Sequence, residues 1–228
     1  MDATYFGERK EYSSWCIVVA RDMYKKENLW WTFTTRETTS CYLQMKDDLR
    51  ELGYTVLSVT GDGFGGVKTA FSGIPYQMCQ VHMKRIIIRG TTQNPMTEAG
   101  QVLLALGKEL KNANSYVFKI RIRKYFKLYS SFLNEKTLNI ESGRMEWTHR
   151  EVRKSAISLV NFLPALFTFE LSDKIPKTTN SIEGHFRHIN EISAVHCGLS
   201  RKQKEKFLSV IMLVGTIAPN KKKLKELL

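Results

Sequence analysis

Three carboxylates in this 228-residue chain stand out by their settings. Asp2 opens an extended segment, Asp2-Ala3-Thr4-Tyr5-Phe6-Gly7. Asp62 follows an apolar run at 55–60 and lies in Gly61-Asp62-Gly63-Phe64-Gly65-Gly66, where glycines let a ligand approach the backbone closely. Glu183 falls in the first turn of a helix that starts in Thr178-Thr179-Asn180-Ser181-Ile182-Glu183-Gly184. Brought together, three such groups repel one another unless divalent cations neutralise them, and hard oxygen ligands favour Mg²⁺ or Mn²⁺. Two such ions activate a water or a 3′-hydroxyl and stabilise the leaving oxygen of an in-line displacement at phosphorus. Each acid also has a plainer reading. Asp2 is a surface residue beside a start methionine, Gly-Asp-Gly is a common turn, and Asn180 with Glu183 has the spacing of a capping box. Residue types and spacing leave both readings open.

The elements that must position these acids follow from periodicity. Residues 1–6 are short and extended. Residues 15–20 form an apolar, β-branched run typical of a strand buried on both faces, and residues 29–35 are rich in Trp, Phe and Thr. Polar turns at 7–14 and 21–28 make these three an antiparallel meander. A helix over 38–52, with Tyr42, Met45, Leu49 and Leu52 on one face, ends at Gly53. Strands at 55–60 and 76–81 follow, so the order β-β-β-α-β-(α)-β predicts an α/β layer fold. From 97 to 169 the pattern is helical, over 99–110, 115–133 and 149–167, with a loop at 134–144. Two helices, 181–191 and 200–214, and a lysine-rich end (Lys221, Lys222, Lys223) close the chain.

Composition narrows the class. Hydrophobic residues make up 43% and charged residues 25%, as in a folded domain. Lys and Arg number 35 against 22 acids, a formal charge of +13 that favours polyanions, nucleic acid above all. No apolar run approaches the ~20 residues that cross a bilayer, and the N-terminus lacks the pattern of a signal peptide. Cys16, Cys41, Cys79 and Cys197 are scattered in a chain large enough not to need disulfides, so reduced thiols are expected.

Three segments together resemble the bacterial insertion-sequence transposases of the mutator-like DDE group. Asp2-Ala3-Thr4-Tyr5-Phe6-Gly7 resembles their first-aspartate strand. Gly61-Asp62-Gly63-Phe64-Gly65-Gly66, followed by Pro75-Tyr76-Gln77-Met78-Cys79-Gln80-Val81-His82-Met83-Lys84-Arg85, is similar to their second-aspartate region with its Cys-x-x-His motif. Residues 178–186, with His196-Cys197-Gly198-Leu199-Ser200 downstream, resemble the third-acid region. The resemblance implies an RNase H-like fold, a mixed five-stranded sheet flanked by helices, with an all-helical insertion before the last catalytic helix. It implies a core over 1–95 and 171–228 and an insertion over 96–170, which accounts for the 60 residues from Asp2 to Asp62 and the 121 from Asp62 to Glu183. The implied activity is metal-dependent cleavage and strand transfer at transposon ends. Asp2 and Asp62 would hold one Mg²⁺ or Mn²⁺, and Asp2 with Glu183 the second. Double-stranded DNA as partner, a homodimer that joins two element ends, no membrane association, and a prokaryotic cytoplasm at the nucleoid come with it.

Residues around the acids invite further roles. Cys79 and His82 form half of a metal site, with His196 and Cys197 as a second pair whose spacing does not suit zinc, so zinc is not expected. The plainer reading has Cys79 packed as a small apolar residue and His82 orienting its neighbours. Residues 119–127 interleave Lys119, Arg121, Arg123, Lys124 and Lys127 with apolar residues, which suits a phosphate backbone or a solvated face. Lys84 and Arg85, with Arg89, form a second basic cluster, and Arg187 lies one turn after Glu183 as a phosphate contact. Trp147, in a polar setting, either stacks on an unpaired base or fills a core. In the family pattern apolar residues precede the first aspartate and an end-binding domain lies upstream. Here the sequence starts one residue before Asp2, which implies an isolated catalytic domain or a truncated, non-catalytic DNA-binding remnant. A nuclease that only hydrolyses is a third possibility.

Overall fold

The computed structural model describes residues 1–7 and 14–217, with side chains to residue 214. The lysine run at 221–223 and most of the first turn lie outside the described residues. The chain divides into two compact units, Met1–Tyr76 with Thr178–Leu228, and Gln77–Lys177.

In the first unit the all-apolar run becomes β2 (Trp15–Arg21), buried at every position except Arg21. It is flanked by β1 (Asp2–Phe6) and β3 (Asn28–Thr34) in an antiparallel sheet of order β1-β2-β3. Thr4 faces Ile17, and Val19 faces Trp31, in that register. The alternate residues Trp15, Ile17 and Val19 project to one face. There they meet Ile182, Phe186 and Ile189 of α8 (Asn180–Val195) and Leu208 and Met212 of α9 (Arg201–Ile217). Phe6 stacks on Trp15 with ring centroids 4.6 Å apart, and Phe33 meets Trp15 edge-on at 5.9 Å. Full burial of each large apolar side chain contributes ~1.5–3 kcal/mol, so this cluster holds the two ends of the chain together. Helix α1 (Thr39–Glu51) is capped by the Thr38 hydroxyl, which accepts from Cys41 N–H at 3.4 Å, and it buries Tyr42, Met45 and Leu49; the short α2 (Gly65–Ala70) follows the fourth strand.

The fourth and fifth strands are shorter than the sequence suggests. β4 is only Val59–Gly61, because residues 51–55 and Leu57 are exposed and the run is buried only at its end. It pairs with β5 (Tyr76–Met78), starting from Val59 N–H to the Pro75 carbonyl at 2.9 Å. The first five strands therefore form sheets of three and two; the expected single five-stranded sheet is not what is seen. The coarser expectation, a mixed α/β chain, stands. Among the described residues no helix is long and apolar enough to cross a membrane, and all four cysteines are free thiols.

One polar network ties β2 and β3 to the C-terminal helices. Asn28, 1% exposed, accepts from Arg21 at 2.6 Å and donates to the Met212 carbonyl at 3.1 Å. Its amide nitrogen lies 3.1 Å from His185 Nε2, and because an amide NH₂ only donates, Nε2 accepts and carries no proton. Burial, then the charges of Arg21 and His188, lower the His185 pKa to about 4.

The second unit is mostly helical. It holds α3 (Gln80–Thr91), α4 (Glu98–Glu109), α5 (Ser115–Leu128), α6 (Ser130–Asn134), α7 (Arg150–Leu166) and a 3-10 turn, Thr168–Leu171. Helix α3 replaces the end of the strand expected at 76–81. Nor is the insertion all helical: the expected loop at 134–144 contains β6 (Lys136–Asn139), paired antiparallel with β7 (Arg144–Trp147). Gln77 stitches this unit, donating to the Leu166 carbonyl at 3.0 Å and accepting from Phe169 N–H at 2.9 Å. Helices α3 and α7 cross closely at Gly90. A Cβ there would lie 2.0 Å from Ser155 Oγ and 2.5 Å from the Glu151 carbonyl oxygen.

Two outcomes follow. Gly90→Ala should destabilise the protein by about 1–3 kcal/mol in denaturant unfolding, because the added methyl forces the two helices apart; unchanged stability would show that the crossing relaxes freely. For His185, a base whose folded pKa lies below its unfolded value of ~6.5, the stabilisation is complete above that value. It is lost as pH falls through about 4. The thermal midpoint should drop between pH 7 and pH 5, and less steeply in His185→Gln; equal slopes in the two proteins would assign the drop to other groups.

Candidate acidic site

Asp2 is the first residue of β1, and its carboxylate accepts from Ala3 N–H at 2.8 Å. The Met1 amine donates to the Thr60 carbonyl at 2.8 Å, so the start of β1 lies against the end of β4. Asp62 leaves β4 in a turn. Its Oδ1 accepts from Phe64 N–H at 2.9 Å, and Gly63 N–H donates to the Tyr76 hydroxyl at 3.0 Å. Gly63 has φ 104°, a conformation that suits glycine and that side-chain-bearing residues seldom adopt. The plain turn reading of Gly-Asp-Gly is therefore correct as far as it goes, and the turn also fixes where the Asp62 carboxylate stands.

A carboxylate that sequence reasoning passed over lies beside these two. Glu37, half-buried just before the cap of α1, accepts a hydrogen bond from the hydroxyl of the fully buried Tyr42. Its N–H donates to the Tyr5 hydroxyl at 3.2 Å. Burial raises the Glu37 pKa above the usual carboxylate range; the Tyr42 hydrogen bond works against this, and the charges of Asp62 and Asp2 add to the rise. Burial likewise pushes the Tyr42 phenol far up, with Glu37, Asp2 and Asp62 all adding to the effect. Asp2 and Asp62, distant in sequence, thus act on the same two neighbours. Nothing local marks Glu37: it precedes a threonine cap, and its contacts are tertiary.

Glu183 lies in the first turn of α8, where its carboxylate accepts from the Thr179 hydroxyl at 3.2 Å and its N–H donates to the Thr179 carbonyl at 3.0 Å. It shares a shallow groove of about 520 Å³ with Phe186, Arg187, Asn190, Glu191 and Ala194. Arg187 is therefore on the Glu183 face, as its spacing predicts. Asn190 donates to Thr4 Oγ1 at 3.2 Å, which ties α8 to β1 two residues from Asp2. Among the described residues of this unit, no three carboxylate, thiol or imidazole ligand atoms lie within 4.8 Å of one another. The arrangement is a pair, Asp2 and Asp62, with Glu37 beside it, and a third catalytic candidate held separately on α8. The donor set is all oxygen, which suits a hard divalent cation. Magnesium commonly keeps several waters and needs only one or two carboxylates.

The remaining candidates belong to the second unit. Cys79 is buried at the cap of α3, and its sulfur lies within 4.8 Å of a His82 ring nitrogen. Arg85 approaches His82 Nε2 at 3.5 Å, and Lys84 is half-buried on the same helix. On α5, Arg121 is ion-paired with Glu109, whereas Arg123 and Lys124 are exposed. Trp147 is half-buried on β7, with Lys136 Nζ 4.3 Å and the Arg153 guanidinium 4.0 Å from its ring centroid. Two cations thus lie against a ring that is only half-buried, where the core reading expects an enclosed one. In the first unit, His196 packs edge-on to Phe207 at 4.7 Å, and Cys197 is exposed.

The chain matches no protein-family model, no curated protein and no solved structure.

Tyr42→Phe removes the donor to the Glu37 carboxylate and should cost about 1–3 kcal/mol of stability. The double variant Tyr42→Phe with Glu37→Gln should recover part of that loss in a double-mutant cycle; purely additive effects would mean that the hydrogen bond contributes little.

Proposed function

We propose that this chain is a metal-dependent DNA strand transferase of the DDE transposase kind, with Asp2, Asp62 and Glu183 as its catalytic acids. The observation that carries this reading is the placing of the start of β1, with Asp2, against the end of β4, which leads into Asp62. A carboxylate group of this kind in a chain of net charge +13 suits a polyanionic substrate brought to an acidic, cation-requiring centre.

Asp2 and Asp62 would hold one Mg²⁺ or Mn²⁺, and Asp2 with Glu183 a second. When bound, such ions activate a water or 3′-hydroxyl and stabilise the leaving oxygen at phosphorus. The chain's own groups hold and orient. Phe64 N–H and the Gly63 turn set the direction of the Asp62 carboxylate. Thr179 steadies Glu183, and Arg187, in the same groove, is suited to a phosphate oxygen. The substrate on this reading is duplex DNA, and two chains are needed to hold two element ends.

One observation favours a second reading, a non-catalytic DNA-binding remnant: the three acids are not gathered at chelating distance. Metal binding decides between them. On the first reading, Mg²⁺ or Mn²⁺ at ~100 times its Kd stabilises the fold by about 2.7 kcal/mol in thermal unfolding. Asp62→Asn should abolish that gain, and Glu183→Gln should abolish nicking of supercoiled plasmid while leaving DNA binding. No metal-dependent stabilisation in the unmodified chain, or equal nicking by Glu183→Gln, would sink the catalytic assignment.

A further inference from the structure

Helix α5 carries no acid in its sequence, Ser115-Tyr116-Val117-Phe118-Lys119-Ile120-Arg121-Ile122-Arg123-Lys124-Tyr125-Phe126-Lys127-Leu128. Its buried side is Phe118, Ile122 and Tyr125, spaced by four and three as one helical face. At about 100° per residue, the five cations divide between the two flanks of that face. Arg121 and Lys124 fall on the flank towards α4, where they line a groove of about 310 Å³ with Leu106, Glu109, Tyr125 and Leu128. Arg121 is ion-paired there with Glu109. Lys119, Arg123 and Lys127 fall on the other flank at intervals of four, all exposed.

The acids on the surrounding elements are already engaged. Glu109 pairs with Arg121. Glu170 accepts from the N–H and the hydroxyl of Ser115 at 2.8 and 2.6 Å. Glu98 acts on Tyr129. Among the described residues no ion pair involves Lys119, Arg123 or Lys127. Three unneutralised cations about 6 Å apart along a helix face solvent as a straight row. A duplex, whose phosphates recur every ~3.4 Å along each strand, is a polyanion that such a row can track. An acidic protein surface supplies no comparable regular repeat.

We infer that Lys119, Arg123 and Lys127 form a sequence-independent contact for the phosphate backbone of duplex DNA. Arg121, at the centre of the basic run, is instead a structural residue that joins α5 to α4. This rests on the reading above only for the identity of the polyanion; it requires no catalysis.

The test is the salt dependence of binding by the full chain to a labelled 30-base-pair duplex of arbitrary sequence, read by fluorescence anisotropy. The slope of log K against log[salt] should become shallower by ~0.9 for each contact removed. The triple variant Lys119→Ala, Arg123→Ala, Lys127→Ala should therefore lose nearly three units of slope, equally on unrelated sequences. The milder set Lys119→Gln, Arg123→Gln, Lys127→Gln, at exposed positions, should reproduce the loss with an unchanged thermal midpoint. Arg121→Ala should keep the slope and lower the midpoint. An unchanged slope in both triple sets, no duplex binding by the unmodified chain, or binding to anionic vesicles in preference to duplex would each overturn the inference. A slope change with no metal-dependent nicking by the unmodified chain would overturn the catalytic reading and leave this surface standing.

Discussion

A core made from the two ends of the chain governs the rest of the first unit. Trp15, Ile17 and Val19 have their partners in Ile182, Phe186, Ile189, Leu208 and Met212, so neither the sheet nor the C-terminal helix pair buries its apolar face alone. This core lets the chain carry the whole of Gln77–Lys177 between its two halves. The entropic cost of closing a long loop grows only logarithmically, ~0.6 kcal/mol per doubling. A few buried aromatic and aliphatic side chains at ~1.5–3 kcal/mol each outweigh it. The same core sets α8 against the sheet, and with α8 comes Glu183. The buried Asn28 network reinforces that placement, since leaving the Met212 carbonyl or the Arg21 guanidinium without a partner costs more than the bonds themselves contribute.

Charge is distributed unevenly around this frame. The chain is strongly basic, yet Asp2, Glu37 and Asp62 concentrate negative charge at one place in the first unit. Elsewhere the bases are sorted by packing. Arg121 is neutralised on one flank of α5 while Arg123, two residues on, is exposed. Two positions along a helix turn a side chain through about 200°. A basic run in sequence is therefore a mixture of structural and surface residues, and the helix phase separates them. Trp147 gives the parallel case for an aromatic: its ring is taken up by Lys136 and Arg153, a contact that cation–π attraction stabilises locally.

These distinctions mark the limit of what sequence could give. Strong, long signals were legible. The unbroken apolar run of β2, the three-and-four spacing of α1 and α7, and the placing of Asp2 on a strand and Glu183 in a first helical turn all rest on burial patterns that local composition encodes. What was illegible has a common cause in weak or tertiary signals. β6 and β7 are exposed at three of four positions each, so they carry no apolar period to detect. β4 is three residues long, and the apolar run that precedes it includes Leu57, which is exposed. Helix α3 begins directly after β5 at the Cys79 cap, so strand and helix merge into one apolar stretch. Glu37 owes its setting to Tyr42, Tyr5, Asp2 and Asp62, none of which is an immediate sequence neighbour.

The three catalytic candidates also differ in how firmly they are held. Asp2 is locked into a paired strand opposite Val19, and Asp62 into a turn that closes on itself through Phe64 and on Tyr76 through Gly63. The first support is a backbone ladder, and the second is a pair of backbone N–H groups donating to side-chain oxygens. Glu183 is carried by a helix, and the link from that helix to β1 includes the side-chain bond from Asn190 to Thr4, two turns further along. Packed helices accommodate shear of 1–2 Å far more readily than paired strands change register, because a strand that slips by one residue turns every side chain to the opposite face. Of the three, Glu183 is thus the carboxylate whose placing rests on helix packing and a side-chain bond rather than on strand pairing or a closed turn.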